Sequence, residues 1–431
     1  MLGSDIVTVG VYTLGCKVNM YESEFIINRL QESGYEIKDF LDVCDVYIIN
    51  TCTVTNTSDI KSRKIVRQAI KRNPNACIVV MGCFVEANKD YREDGVDIII
   101  GTKDKSRVVS LIDEYFVNKQ FIDKTNNDDA KLFEDMFIDK FPGRTRAFVK
   151  IQDGCENYCS YCIIPFVRGK CRSKRHEVVI HEIESLVSNG YKEIVLTGIH
   201  TGNYGVDFGD SFANLLRDIV KIEGLKRLRI SSIEITELTD EVLEIIKNND
   251  VIADHFHIPL QSGSDKILKL MNRKYDLDYF YNVINKILKI RPKASITTDI
   301  IVGFPGEDEE DFLTLLDTAR RVGFSKIHVF PYSKRNGTKA CEMDNHIDES
   351  LKKSRARRLL LLSSELEKQY YNKFIGEEIE VLSECVRDGY TYGHTSNYIS
   401  VKIKGEYESN RLINVKLIKL EYPYVVGEVN E

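Results

Sequence analysis

The stretch from Ile151 to Gly169, IQDGCENYCSYCIIPFVRG, holds three cysteines within eight residues, at Cys155, Cys159 and Cys162. Such a short loop brings thiol ligands together without long-range assembly, whereas structural zinc sites usually close with four protein ligands. Cys171 is a candidate fourth ligand, although a proline-containing basic stretch separates it from the loop. Three thiolates on a four-iron cluster leave one iron open to a small molecule. The spacing therefore favours a catalytic iron-sulfur site over a zinc knuckle or a chance cluster.

The length and composition indicate a soluble protein of several domains. A chain of 431 residues exceeds one ordinary hydrophobic core, so about two to four domains are expected. The N-terminus has no basic signal-peptide segment, and no apolar run approaches the ~18 residues that cross a bilayer. We therefore expect a cytoplasmic protein without membrane association. Its eleven cysteines should be reduced, which makes metal ligands or core thiols a better interpretation than disulfides.

Basic residues are concentrated locally, although the net charge is −6. The segment 61–72, KSRKIVRQAIKR, has six basic residues and no acid, and the segment 140–175 has nine basic residues against two acids. Lys64, Arg67 and Lys71 lie on one side of a helix in the first segment. This pattern is consistent with a phosphate-binding surface or with an ordinary solvated face.

The first part of the chain alternates short apolar strands with amphipathic helices, which predicts a parallel-sheet α/β domain over residues 5–118. Its first three strands each end in a cysteine, at Cys16, Cys52 and Cys83. The carboxyl ends of parallel strands share one edge of a sheet, so these thiols could converge. Taken alone, strand-end cysteines are more often core residues than ligands, because free cysteine packs as a small hydrophobe. Residues 119–140 are polar and weakly periodic and are predicted to be a linker.

A second βα series, over residues 141–370, predicts a partial (β/α)6 barrel. Its six candidate strands are AFVKIQ (147–152), EIVLTG (193–198), RLRISS (227–232), HFHIPL (255–260), SITTDIIVG (295–303) and KIHVFP (326–331). The cysteine loop follows the first strand, and active sites of such barrels lie at the strand carboxyl ends. Residues 371–431 change to short alternating strands, which predict a small all-β domain.

The C-x-x-x-C-x-x-C loop in this context resembles that of the radical S-adenosylmethionine (SAM) enzymes. The segments TLGCKVNMYES, NTCTVT, MGC, RGKCRSKR, LTGIHTGNYG, HIPLQSGSD and DIIVGFPGE together resemble the methylthiotransferases within that superfamily. The resemblance implies an N-terminal methylthiotransferase domain, a radical-SAM barrel and a C-terminal TRAM RNA-binding domain. It also implies two [4Fe-4S] clusters, one on Cys155, Cys159 and Cys162 and an auxiliary one matching Cys16, Cys52 and Cys83.

Within this family, LGCKVN and LTGIHTGNYG resemble the branch that modifies N6-threonylcarbamoyladenosine at tRNA position 37. The isopentenyl-adenosine branch typically has glutamine and then methionine after its first cysteine, and a third branch modifies an aspartate of a ribosomal protein. The implied enzyme uses SAM as both radical source and methyl donor. It acts on the tRNA anticodon loop, with a sulfur donor and an electron donor such as a flavodoxin or ferredoxin. A metal-stabilised RNA-binding protein without catalysis is the non-enzymatic alternative.

Other candidate site residues follow the barrel strands. Gly198, in TGIH, corresponds to the family's contact with the SAM amino group, or is a turn glycine. Ser232, Glu234 and Gln261 follow the third and fourth strands and are expected to point toward the barrel mouth. The basic residues after the cysteine loop, Arg168, Arg172 and Arg175, could bind SAM or tRNA phosphate, whereas His255 and His257 are expected to be hydrogen-bonded strand residues.

Overall fold

The computed structural model describes residues 6–125 and 132–429. Over the first of these ranges, six parallel strands form a sheet in the order β2-β1-β3-β4-β5-β6. The strands are β1 (Thr8–Thr13), β2 (Glu36–Lys38), β3 (Val46–Thr51), β4 (Cys77–Gly82), β5 (Ile98–Ile100) and β6 (Ile122–Lys124). The helices are α1 (Lys17–Glu32), α2 (Asn56–Arg72), α3 (Cys83–Ala87) and α4 (Val108–Asn118). Every residue of β3 and β4 is buried, as expected for parallel strands covered on both faces.

The start of the predicted linker belongs to the sheet. β6 pairs in parallel with β5, with Ile98 opposite Ile122, although it lies within residues 119–140. Farther along the same segment, Met136 and Ile138 are buried in the main hydrophobic core, as is Phe141 just after it. The sequence conceals this because β6 has only three residues, too few to show a periodic pattern. Residues 126–131 of the predicted linker lie outside the described residues.

The second series forms the predicted partial barrel, whose main strands β7, β10, β11, β12, β13 and β14 run parallel. A bridge between Leu228 and Ile252 joins its two three-stranded halves. Its strands are β7 (Arg146–Lys150), β8 (Gln152–Asp153), β9 (Arg172–Ser173), β10 (Glu193–Thr197), β11 (Arg227–Ile230), β12 (His255–His257), β13 (Ser295–Val302) and β14 (Lys326–Pro331). Its helices are α5 (Ile164–Arg168), α6 (His176–Ser188), α7 (Phe212–Ile219), α8 (Asp240–Asn248), α9 (Asp265–Leu270), α10 (Leu277–Ile290), α11 (Glu309–Val322) and α12 (Glu349–Asn372). The short antiparallel pair β8–β9, which brackets the cysteine loop, was not predicted.

Side-chain caps explain where several helices begin. Thr55, Ser211, Thr239 and Asp276 each accept a hydrogen bond from the backbone N–H three residues later. Short 3-10 helices occur at Lys105–Arg107, Thr201–Asn203, Val206–Phe208, Ile235–Glu237 and Lys339–Cys341. No helix in the described part of the chain has the length and apolar character that a membrane span requires.

The C-terminal strands close into a small barrel in the order β15-β16-β17-β19-β18, which confirms the predicted all-β domain. They are β15 (Glu378–Arg387), β16 (Tyr390–Thr395), β17 (Ser400–Lys404), β18 (Leu412–Glu421) and β19 (Tyr424–Glu428). This domain docks on the partial barrel through Arg229, whose guanidinium donates to the carbonyl oxygens of Ser396 and Thr395 at 3.0 and 3.4 Å. The chain thus has the three-domain α/β architecture that the sequence predicts.

Candidate active site

The loop of Cys155, Cys159 and Cys162 follows β7 and β8 at the carboxyl end of the barrel's first strand. All three thiols are free and partly exposed. The loop closes through the N–H of Cys155, which donates to the carbonyl of Gly169 at 3.0 Å. Gly154 has a φ of 77°, and a Cβ there would lie 2.0 Å from the Lys170 carbonyl oxygen, so only glycine fits before Cys155.

The segment after α9 holds this loop from the other side. The Ser160 N–H donates to the Met271 carbonyl at 3.0 Å. Arg273 forms an ion pair with Glu234, and its Nη1 donates to the Cys159 Sγ at 3.4 Å. Arg273 was missed in the sequence because a lone arginine over 100 residues from the cysteines carries no local signal. Glu234, predicted to point toward the barrel mouth, is held by this arginine beside Cys159, and its contact with SAM stays a prediction.

The pKa values of groups in and beside the loop bear on whether its thiols can ionise and bind a metal. Burial, with the nearby Cys159 and Cys155, raises the pKa of Cys162 to about 12, and the positive charge of a bound metal would reverse this shift. Burial also opposes a charge on His200, but its interactions with Cys155, Cys171 and Glu237 raise its pKa to about 12. Three thiols in one loop, with cationic Arg273 and His200 beside them, therefore fit a [4Fe-4S] cluster.

Cys171, the candidate fourth ligand, is buried, and its thiol contacts neighbouring protein groups. Its Sγ accepts a hydrogen bond from the Asn203 Nδ2 at 3.2 Å and lies 3.8 Å from the Gly154 carbonyl oxygen. The thiol thus packs behind the loop and stabilises the turn that precedes Cys155.

The second set of cysteines is assembled from three strands. Cys16, Cys52 and Cys83 follow β1, β3 and β4, which are neighbours in the sheet. A glycine precedes two of them. Gly15 has a φ of 99°, and a Cβ there would lie 2.8 Å from the Cys52 Cβ. Gly82 has a φ of 100°, and its Cβ would lie 2.7 Å from the Asn50 Oδ1. Both glycines turn the chain sharply at the strand end, which directs it into a helix beginning beside the cysteine.

These three thiols are close enough to influence one another. Burial raises the pKa of Cys83 to about 11; Cys16 and Cys52 add to the shift, and the Arg168 cation opposes it. Cys83 also packs against Ile163 and Val167, which directly follow the loop triad. Three converging thiols beside a buried arginine fit an iron-sulfur cluster here as well.

One cavity of about 860 Å³ connects the assembled triad with the barrel interior. Its wall includes Cys16, Cys52, Cys83, Lys17, Arg146, Gly198, Arg229, Ser232, His255, His257, Asp299, Lys326, His328 and Tyr398. The ligand atoms of His257, Asp299 and His328 lie within 4.8 Å of one another. The size suits a nucleoside or a similar ligand.

Arg168 joins the two triads internally. Its guanidinium is fully buried, forms ion pairs with Glu22 at 3.1 Å and Asp153 at 3.0 Å, and donates to the Asn19 Oδ1 at 2.8 Å. Burial alone would raise the pKa of both carboxyls, but Arg168 and neighbouring lysines hold them well below their usual range. The Arg168 guanidinium thus contacts three protein side chains, while Arg168 also lines the cavity, and its contact with SAM or tRNA stays a prediction. A buried charge in a loop cannot be distinguished from a surface charge in the sequence.

The other residues that were predicted to contact SAM differ in whether they line the cavity. Gly198 and Ser232 line the cavity, and a Cβ on Gly198 would lie 3.2 Å from Gln152. Gln261 has a left-handed φ of 69° and is not among the described residues of the cavity wall. Arg172 donates to the carbonyl oxygens of Arg168 and Lys170 at 2.9 and 3.1 Å. Arg172 thus contacts the backbone of its own loop and is not among the described residues that line the cavity.

Two histidines and a tyrosine complete the barrel side of the cavity. His257 is hydrogen-bonded to Thr297 at 2.9 Å, whereas His255 bonds Thr297 through Nε2 at 3.1 Å. The buried Nδ1 of His255 has no hydrogen-bond partner within the described ranges. Tyr398 stacks on His255 at 4.8 Å and accepts a hydrogen bond from Arg146, so this tyrosine is not a free platform for RNA bases.

The basic helix α2 presents a shallow groove of about 480 Å³ on the surface of the N-terminal domain. Lys64, Arg67 and Lys71 line it together, as their spacing predicts. Arg67 is paired with Glu93 at 2.5 Å. Arg63, also in the wall, lies over the ring of Phe84 at 5.0 Å. The groove retains a cluster of cations suited to phosphate groups.

Comparisons with known proteins agree with this architecture. The radical SAM superfamily matches residues 149–319, and the uncharacterized protein family UPF0004 matches residues 8–101. The chain is 45% identical to the threonylcarbamoyladenosine tRNA methylthiotransferase MtaB of Bacillus subtilis, covering 98% of this chain and 96% of that protein. It is 37% identical to the tRNA-2-methylthio-N(6)-dimethylallyladenosine synthase of Natranaerobius thermophilus, covering 97% and 96%.

The fold also resembles that of solved radical SAM enzymes. The methyltransferase TsrM of Kitasatospora setae superposes with a TM-score of 0.56 at 14% identity, covering 78% of this chain and 75% of that one. This likeness concerns the fold, while the full-length matches above establish the family. Radical SAM enzymes carry a [4Fe-4S] cluster and SAM, which the loop triad fits. The chain belongs to the radical-SAM methylthiotransferase family.

Proposed function

We propose that this enzyme adds a methylthio group to C2 of N6-threonylcarbamoyladenosine at tRNA position 37, with SAM as both radical source and methyl donor. Full-length identity of 45% to a protein named for this substrate, against 37% to one named for dimethylallyladenosine, supports the substrate assignment. With tRNA as its substrate, the enzyme would act in the cytoplasm.

The observation that carries the proposal is the shared cavity. Cys16, Cys52 and Cys83 open onto the same space as the barrel strand ends, and Cys83 packs against the segment after the loop triad. A hydrogen on an aromatic carbon is beyond the reach of side-chain acids and bases, so the reaction needs a cofactor. A sulfur site in the cavity wall, linked to the radical site by the packing of Cys83 against Ile163 and Val167, would meet that need.

The chain's own residues then have separate roles. Cys155, Cys159 and Cys162 would hold the radical-SAM cluster, which when bound supplies the electron that cleaves SAM. Cys16, Cys52 and Cys83 would hold a second [4Fe-4S] cluster as the sulfur site. Arg273 stabilises the Cys159 thiolate and restrains Glu234, and the cavity orients the adenine. Gly198 and Ser232 remain candidate SAM contacts because they line that cavity.

RNA would be held outside the cavity. The α2 groove and the C-terminal barrel offer basic and aromatic side chains for the anticodon loop, and phosphate contacts of this kind position RNA without reading its sequence. The reaction also needs an electron donor, such as a flavodoxin or ferredoxin, and a sulfur donor.

Anaerobic reconstitution with nucleoside mass spectrometry tests the function. The reconstituted enzyme should hold about eight irons per chain, as two four-iron clusters require. With SAM and a reductant, it should convert threonylcarbamoyladenosine in tRNA to its methylthio form and leave isopentenyl-adenosine tRNA unmodified. Modification of the isopentenyl substrate instead would overturn the substrate assignment. Zinc in place of iron, with no SAM cleavage, would favour a non-catalytic RNA-binding protein.

A further inference from the structure

Lys17 is the cation in the cavity wall that lacks a counter-ion. It directly follows Cys16, is an exposed residue, and lines the cavity. Other cations of the wall are paired: Arg146 lies 3.3 Å from Glu384, and Arg229 lies 2.7 Å from Glu193. Across residues 6–125 and 132–429, no carboxylate lies within ion-pairing distance of Lys17. An unpaired ammonium in a partly enclosed space is a binding site for an anion.

The surroundings of Lys17 strengthen this preference. Arg146 and Arg229 line the same cavity as Lys17 and add positive charge to its wall. Across the cavity wall, His255 has a buried Nδ1 without a partner in the described chain. A positive region with an unsatisfied polar atom nearby matches a ligand that carries both an anionic group and hydrogen-bonding atoms.

The anion must reach the interior of the cavity. Enzymes that act on a base in a nucleic acid take the base into a pocket, and its phosphates then stay at the surface. A threonylcarbamoyl group carries a carboxylate attached to the base itself, whereas an isopentenyl group is apolar and offers Lys17 nothing to bind. SAM also carries a carboxylate and is the alternative source of the same charge.

We infer that Lys17 binds the threonyl carboxylate of the modified adenosine and so selects this substrate. The inference rests on the proposed function. It makes Lys17 a specificity-determining residue, placed beside the sulfur site because it follows Cys16 in the chain.

A pair of RNAs matched in shape but differing in one charge tests the inference. Two anticodon stem-loops would be compared, one with threonylcarbamoyladenosine and one in which the threonine carboxylate is replaced by a neutral primary amide. Dissociation constants would be measured by fluorescence anisotropy on the anaerobic, reconstituted full-length enzyme without SAM. The wild type should bind the carboxylate RNA roughly tenfold or more tighter than the amide RNA, as expected for one charge-assisted hydrogen bond.

Substitutions test whether Lys17 is the side chain that causes the preference for the carboxylate RNA. Lys17→Gln should bind both RNAs with the weaker affinity, Lys17→Arg should retain most of the preference, and Lys289→Gln, an exposed control on α10, should match the wild type. Iron content and visible absorbance would verify that both clusters remain in each variant. Because the wild-type comparison requires no variant, a misassembled Lys17→Gln protein does not leave the inference untested.

Three outcomes would overturn it. The first is a wild type that binds both RNAs equally, and the second is a Lys17→Gln variant that keeps the preference. The third is a variant that binds RNA normally but needs more SAM, which would assign the carboxylate to SAM. Failure of the proposed function is recognised separately, since the wild-type enzyme would then produce no methylthio nucleoside from the carboxylate RNA.

Discussion

The two cysteine triads reach the same number of thiols by different routes. Cys155, Cys159 and Cys162 come from one loop, whereas Cys16, Cys52 and Cys83 come from three strand ends. The loop triad lies within eight residues of one segment, and its loop is held by its own backbone and by the segment after α9. The assembled triad needs the order β1-β3-β4 in the sheet. The proposed radical site thus takes its thiols from one short segment, and the proposed sulfur site requires the pairing of three strands.

The two triads are connected by buried polar contacts of Arg168. Arg168 lies at the end of α5, just after the loop triad, and binds Glu22 and Asn19 on the helix that begins after Cys16. Asn19 in turn donates to the Leu14 carbonyl at 2.7 Å and the Thr51 carbonyl at 3.0 Å, next to two cysteine-bearing turns. One buried arginine therefore fixes the position of the local site relative to the assembled one.

The largest expected effect comes from removing a loop thiol. Cys159→Ala leaves two thiols in the loop and should reduce SAM cleavage to background, measured as 5′-deoxyadenosine formed with a chemical reductant. The iron content should fall from about eight to about four per chain. Cys341→Ala, a partly exposed cysteine outside both triads, serves as the control and should behave like the wild type. Cleavage retained by Cys159→Ala would contradict the role of the loop.

Removing the arginine between the triads should have the next largest effect. Arg168→Met leaves Glu22 and Asp153 buried with less compensation, so we expect a loss of about 3–5 kcal/mol in the free energy of unfolding, measured by urea titration. Arg172→Met is the matched control from the same loop. Its guanidinium mainly meets backbone carbonyls, and its loss should cost less. Equal destabilisation by the two substitutions would contradict the coupling role of Arg168.

Lowering the pH should weaken the ion pairs that Arg168 forms with Glu22 and Asp153. Glu22 and Asp153 have folded-state pKa values well below their ordinary ones because of the surrounding cations. Their contribution to stability is therefore complete above roughly pH 4–5, where the unfolded carboxyls are ionised, and is lost as the pH falls further. Urea titrations between pH 7 and pH 3 should show a steeper loss for the wild type than for Arg168→Met. Parallel curves would argue against the network.

A smaller effect is expected from Arg273, which contacts Cys159 of the loop triad and forms an ion pair with Glu234. Arg273→Met removes the cation beside the Cys159 Sγ and should slow 5′-deoxyadenosine formation roughly tenfold, the value of one charge-assisted hydrogen bond. Arg273→Lys should recover part of the rate, and Arg320→Met on the outer face of α11 should change nothing. An unaltered rate in Arg273→Met would remove this residue from the site.

The smallest effects concern the α2 groove, which contacts neither triad's loop. Lys64→Gln and Lys71→Gln should each weaken tRNA binding by roughly two- to threefold and reduce its dependence on salt concentration. SAM cleavage without tRNA should stay at the wild-type rate. Binding with an unchanged salt dependence would identify the groove as an ordinary solvated surface.

The contrast between the loop triad and the assembled triad also explains which features could be predicted from the sequence. The six barrel strands and the loop triad follow from patterns within a few residues, and both were predicted. Convergence of Cys16, Cys52 and Cys83 was only one possibility until the family resemblance was considered. The dipeptide Gly-Cys at Cys16, Cys83 and Cys155 was an available signal, since each glycine has a positive φ. The burial of Arg168, the approach of Arg273 and the sheet pairing of β6 depend on distant contacts and carry no local pattern.

The most direct test of the division between the two sites is Cys52→Ala, assayed with SAM, reductant and threonylcarbamoyladenosine tRNA. Both 5′-deoxyadenosine and the methylthio nucleoside would be quantified by mass spectrometry in the same reaction. We predict that 5′-deoxyadenosine is still produced while the methylthio nucleoside is absent. Equal loss of both products would contradict separate radical and sulfur sites.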